Sequence, residues 1–197
     1  MDGFERRKER KKESIRRAAL ELFRIYGFEK VSVNEIARRA NVSQVTIYNH
    51  FGSREELVRD VIKTLCLNLL EKYRAIIKGE GTFPEKLERI IFDKKELLGQ
   101  YQGELINNTI RNDPEMQHFI DSIWQRDINQ LVIEFFDEGK RQGYVDQELS
   151  SEAILVYYEI LRRGLSASSD LLKIEHDAEL MHQLMSLFTY GLVGKAK

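Results

Sequence analysis

Residues 32–51, SVNEIARRANVSQVTIYNHF, constrain the fold of this chain more than any other stretch. Ser32 stands three residues before Glu35. At that spacing the serine oxygen caps a free backbone amide while the carboxylate reaches back to the Ser32 amide. Val33, Ile36, Ala37 and Ala40 then recur at helical spacing, so the first helix is short and buries one face. Asn41 tolerates positive φ and ends it, Val42 plugs the turn, and Ser43 caps a second helix that turns Ile47 and Phe51 inward. Ala37 is small enough for the two helices to cross closely. The pattern predicts a helix-turn-helix. Its second helix offers free N-terminal amides, which favour phosphate, and leaves the residues around Ile47 exposed. Such a helix lies in the DNA major groove with its N-terminal side chains at base edges.

The rest of the chain also reads as helix. Only two prolines, Pro84 and Pro114, occur in 197 residues, and both suit a first helical turn. A helix from Lys8 to Tyr26 carries Ile15, Ala18, Ala19, Leu22, Phe23 and Tyr26 as one stripe, and Gly27 closes it. Ser53-Arg54-Glu55-Glu56 reads as a second capping box. It opens a long fourth helix with Leu57, Val61, Leu65, Leu69 and Tyr73 along one side. Asp113-Pro114-Glu115 starts another long helix that runs to about Arg141, with Gly139 and Gly143 marking its end. Ser150 or Ser151 caps the next helix, and a last one spans residues from about 177 to 194. The expectation is an all-α chain of about nine helices. A three-helix helix-turn-helix domain with a basic arm occupies 1–54, and an antiparallel helical bundle occupies 55–197.

The net charge of −1 argues against nucleic acid only until it is divided. Residues 1–54 hold 13 Lys/Arg against 7 Asp/Glu, and the remainder holds 18 against 25. A basic module is carried by an acidic one. Six of the seven residues from Arg6 to Lys12 are basic: Arg6, Arg7, Lys8, Arg10, Lys11 and Lys12. They suit backbone or minor-groove contact, whereas a plain solvated end is the bland alternative. No apolar run approaches the roughly 20 residues of a membrane span, so no membrane partner is expected. The charged N-terminus does not suit a secretory signal. The single cysteine, Cys66, reads as a buried inert thiol. A cytoplasmic protein is expected.

Three segments together carry a family resemblance: AALELFRIYGFEKVSV, EIARRANVS and TIYNHFGSREEL. With them, residues 12–57 resemble the TetR family of bacterial transcriptional repressors. Further on, EFFDEGKRQGYVDQELSSEA is similar to a recurrent segment between that family's seventh and eighth helices. The resemblance implies Gln44, Val45 and Thr46 at base edges. It implies Tyr48, His50 and Arg54 at backbone phosphates, and Asn34 within reach of a base. Ser43, as the cap that brings the helix N-terminus to DNA, and Asn49 complete the expected DNA-facing set. Many members have Lys-Gly or a similar pair where this chain has Gln44-Val45. Gln44 suits adenine and Val45 a thymine methyl, so some A·T preference is expected.

The resemblance also implies a homodimer on a palindromic double-stranded operator, released by a small-molecule effector of unknown identity. Tyr101, Asn108, Trp124, Tyr158 and Arg162 fall on the helices that form effector cavities in that family, and Lys94 and Asp127, near otherwise apolar stripes, join them as candidate effector contacts. Leu180, Met181, Leu184, Met185, Leu187 and Phe188 give the last helix a wide apolar face, consistent with dimerisation through the last two helices. A DNA-binding architectural protein without a ligand shares the motif and is the alternative. Glu175, Glu179 and His182 share helical spacing but read as surface, so no metal or cofactor is expected. No nucleophile–base pair or phosphate-binding glycine loop is recognisable, so an enzyme is not expected.

Overall fold

The computed structural model describes residues 3–90, 110, 112–167, 183 and 187. Among them every regular element is helical. α1 spans Gly3–Tyr26, α2 Val33–Ala40, α3 Gln44–Phe51 and α4 Arg54–Lys78. A helical stretch over 83–90 is α5. α6 spans Pro114–Ile123, α7 Asn129–Arg141 and α8 Ser151–Ala167.

Local capping fixes α2, α3 and α4. Ser32 and Glu35 form the full capping box, with the Ser32 amide donating to Glu35 Oε2 at 2.8 Å. Asn41 adopts φ 54°, ψ 49°, and the Val42 amide donates to the Ala37 carbonyl at 3.0 Å. Ser43 caps α3 by accepting the Thr46 amide at 3.0 Å. Gly52, at φ 86°, ends α3 in a conformation that disfavours other residues. Ser53 accepts the Glu56 amide at 3.1 Å, but the expected reciprocal bond is not made. The Glu56 carboxylate is drawn instead to Arg59, one turn along α4.

Two cores share α4. The first joins Ile15, Ala19 and Phe23 of α1 to Val33, Ile36 and Ala37 of α2 and to Ile47 and Phe51 of α3. It also takes Leu57, Val58, Val61 and Ile62 of α4, and Met116 of α6. The N-terminal core therefore extends past residue 54, the expected boundary. The second core takes Leu70 and Ile77 of α4, Phe83 of α5, Leu131, Val132, Phe135 and Phe136 of α7, and Ile154 of α8. Each fully buried side chain of this size stabilises the fold by about 1.5–3 kcal/mol. The buried face of α4 thus shifts along its length, and Leu65, Leu69 and Tyr73 are only half-buried. Tyr26, expected inside, is 55% exposed because α1 overruns its core at that end.

The expected unbroken helix from Pro114 to Arg141 is split by a π-helical turn over Trp124–Ile128. Gly139 is not its end. It lies within α7, where an added Cβ would meet Phe83 and Val145 side-chain atoms, each at 2.7 Å. The true stop is Gly143, at φ 80°. Lys86 is 2% exposed, and its ammonium donates to the Ile77 carbonyl at 2.8 Å and to Glu138 at 2.7 and 2.9 Å. Gln142 braces the same spot by accepting the Phe83 amide at 2.7 Å and donating to Glu138 at 2.9 Å. α5 and α7 are fastened to the end of α4 by this cluster.

Candidate nucleic-acid interface

Burial of Ile47 and Phe51, one turn apart, orients α3. Gln44, Val45, Tyr48 and Asn49 consequently share its outer face, and all four are exposed. Val45 is 65% exposed. Asn34, on the first turn of α2, is exposed as well. Ser43 and Thr46 are joined hydroxyl to hydroxyl at 2.9 Å at the start of α3.

The basic segment is helical, not an extended arm: α1 begins at Gly3. Arg6, Arg7, Lys8, Arg10 and Lys11 are exposed on its first turns. Lys12 is half-buried, with its ammonium 5.5 Å from the centre of the Phe51 ring, a cation–π contact tying α1 to the end of α3. Its place three residues before Ile15, on the buried stripe, was the sequence signal for that contact. His50 sits beside it, half-buried at the end of α3. Burial first, then the charges of Lys12, Lys11 and Lys8, hold its imidazole below the ordinary range. A cleft of about 150 Å³ next to it is lined by Lys12, His50, Phe51, Glu56, Arg59, Asp60 and Lys63.

Ion pairs steady the frame behind this surface. Arg16 of α1 meets Asp60 of α4 at 2.5 Å and Glu9 at 2.7 Å. Arg39 of α2 meets Glu21 of α1 at 2.6 Å. Arg54, expected at a phosphate, is engaged with the loop between α1 and α2. Its Nε donates to the Val31 carbonyl at 3.1 Å, and its Nη2 donates to the carbonyls of Phe28 and Glu29.

The expected effector residues are partly brought together. The Trp124 and Tyr158 rings stack 5.3 Å apart with 10° between planes. Asp127 pairs with Arg126 at 3.0 Å and with Arg74 of α4 at 3.5 Å. Lys94, Tyr101 and Asn108 lie outside the described residues, as do the Arg162 side chain, most of the last helix, and Glu175, Glu179 and His182. Cys66 packs against the N-terminal core, and burial pushes its thiol up to about 11, far from a reactive thiolate. No described helix is long and apolar enough to cross a membrane.

Residues 15–61 match the family model described as bacterial regulatory proteins, tetR family. The fatty acid metabolism regulator protein of Bacillus subtilis is 30% identical over 135 residues, covering 67% of this chain and 69% of that protein. The chain belongs to the TetR family. Solved structures share the fold. The fatty acid degradation regulator FadR of Bacillus halodurans superposes with a TM-score of 0.64 at 21% identity, covering 91% of this chain and 98% of that one. FadR of Bacillus subtilis, solved in complex with stearoyl-CoA, superposes at 0.58 with 20% identity, covering 91% and 98%. As a TetR-family protein the chain is a DNA-binding transcriptional regulator, and α2 and α3 are its helix-turn-helix.

Proposed function

We propose that this TetR-family regulator is a homodimeric repressor that binds a palindromic operator and leaves it when a long-chain acyl-CoA is bound. The observation that carries the DNA half is the outer face of α3. Gln44, Val45, Tyr48 and Asn49 are exposed together, Asn34 of α2 is exposed as well, and Lys12 of α1 meets Phe51 at the end of α3. Gln44 and Val45 read base edges, the amide pairing with adenine and the isopropyl group lying on a thymine methyl. Ser43 and Thr46 bring the α3 N-terminus to the backbone. Tyr48, Asn49 and His50, with Arg6, Arg7, Lys8, Arg10, Lys11 and Lys12, contact phosphates.

Dimerisation through α8 and the last helix is supported by Val156 and Ile160, one turn apart on α8 and both largely exposed, and by Leu187, 69% exposed. Two-fold symmetry sets the recognition helices about 34–36 Å apart. The choice of effector is supported by the Bacillus subtilis relative named for fatty acid metabolism and by the structure solved with stearoyl-CoA. The Trp124–Tyr158 stack marks the helices that would contact it.

Selection of duplexes from a random pool tests the reading, followed by titration of the bound complex with oleoyl-CoA. A palindrome with A·T pairs in each half-site, released by micromolar acyl-CoA, is expected. Recovery of no preferred sequence refutes the repressor, and release by no acyl-CoA refutes the effector.

A further inference from the structure

Arg54 is the first residue of α4, two residues past the glycine that ends α3. Its half-buried guanidinium reaches back more than twenty residues along the chain. There it donates to the carbonyls of Phe28, Glu29 and Val31, in the loop joining α1 to α2. That loop is itself rigidly seated. Phe28 and Val31 are both buried, and the Phe28 ring stacks on Phe23 of α1 at 4.7 Å. Gly52 and Ser53 leave little slack between Arg54 and Phe51. The grip on the loop therefore sets where the C-terminal end of α3 stands relative to α1 and α2.

We propose that Arg54 is a positioning residue for DNA recognition, which fixes the docking angle of α3 by clamping the 28–31 loop and does not itself neutralise a phosphate. The inference rests on the reading of α3 as the DNA-contacting helix. The fork geometry explains the choice of residue. A planar guanidinium presents Nε–H and Nη2–H to diverging carbonyls at once. A lysine keeps the charge but offers a single ammonium point, and so surrenders the clamp. A phosphate contact, by contrast, tolerates lysine and is visible in the salt dependence, because each lost contact lowers the slope of log K against log salt by about 0.9.

The test compares the full-length protein with Arg54→Lys and Arg54→Gln, using the duplex selected by the wild type and a scrambled duplex of the same length. Both variants are expected to bind the selected duplex roughly tenfold more weakly, the scale of losing a hydrogen bond to a charged group. Affinity for the scrambled duplex and the salt slope are expected to hold. A simple loss of folded protein would scale both duplexes together. Arg54→Lys at wild-type affinity, with Arg54→Gln lowering the salt slope, overturns the proposal. A second measurement needs no variant: the Arg54 Nε–H resonance of the wild type is expected to be protected from exchange without DNA and unshifted by the selected duplex. A resonance that is unprotected, or that shifts on binding, also overturns it. If the wild type selects no duplex, the reading of α3 falls and the docking role with it. If a duplex is selected and only the Arg54 results fail, the reading of α3 stands.

Discussion

Arg59 Nε meets Asp113 Oδ2 at 2.5 Å, so the first turns of α4 hold the residue that caps α6. The other carboxylate oxygen of Asp113 accepts the amides of Glu115 and Met116 at 3.0 and 3.2 Å. Met116 is fully buried in the N-terminal core, while the other end of α6 reaches Ile123 in the second core. Lys63 adds a pair to Glu115 at 2.6 Å. One carboxylate therefore both starts a helix and ties it to the module that presents α3.

Substitution separates those two roles. Asp113→Asn keeps an N-cap oxygen and removes the ion pair, whereas Asp113→Ala removes both. The alanine variant is expected to lose about 1 kcal/mol more than the asparagine variant, the usual worth of a cap. Urea unfolding followed by circular dichroism reads the difference, and equal losses would show that the cap contributes nothing. Arg59 also holds the Asp113 carboxyl below its usual range. The unfolded chain then binds a proton more readily than the folded one as pH falls. The Asp113 contribution is complete above the ordinary aspartate range and is lost as pH drops through the lowered folded value.

His50 runs its own pH dependence. Burial and the lysines at 8, 11 and 12 lower its proton affinity in the free protein, against an opposing pull from Glu9. From α4, Glu56, Arg59, Asp60 and Lys63 line the cleft it faces. Stability from the neutral ring is complete above about pH 6.5, the unfolded value. It is lost as pH falls toward the lower folded value. The proposed phosphate contact would reverse the shift, so duplex binding is expected to take up a proton. Affinity for the selected duplex is expected to rise several-fold between about pH 7.5 and 6. His50→Gln is expected to flatten that profile. The same slope in the variant would place the proton elsewhere.

The Lys86–Glu138 pair offers a sharper stability test. Lys86 is fully buried and Glu138 is partly buried, and removing one partner strands the other's charge. Glu138→Gln is expected to cost about 3–5 kcal/mol, whereas Lys86→Met combined with Glu138→Leu is expected to recover most of it. A double variant as unstable as the single one, by urea denaturation, would assign the cost to packing.

What the sequence made legible here was local. Ser32, Ser43, Asn41, Gly52 and Gly143 act on backbone within four residues of themselves, so their roles follow from spacing alone. The outer face of α3 follows equally from Ile47 and Phe51. Residues whose partners lie far along the chain were opaque. Arg54 looks like any basic residue until its loop is placed beside it, and Gly139 looks like a helix stop until Phe83 fills the space a Cβ would need. The π turn was hidden for another reason. It adds a single residue to the register, and Ile120, Trp124 and Ile128 keep nearly the same apolar spacing with or without it.

That turn makes the last prediction. Trp124 opens it and stacks on Tyr158 of α8, while Asp127, three residues on, pairs with Arg74 of α4. One short, irregular segment thus touches a proposed dimer helix and the helix whose N-terminal end carries Arg54 and Arg59. π turns inside helices frequently mark functional positions. A ligand that parts the two rings acts on α4 only if it binds the shifted arrangement more tightly. Trp124 is the single tryptophan, so its emission reports this site directly. Titration with oleoyl-CoA is expected to change that emission at the same midpoint at which the selected duplex is released. Tyr158→Phe keeps the ring stack. Tyr158→Ala is expected to move the midpoint by roughly two- to tenfold, the worth of a ring pair. Arg74→Gln is expected to leave the emission change intact while raising the ligand concentration needed for release. Duplex release without any change in emission would mean that the effector acts elsewhere.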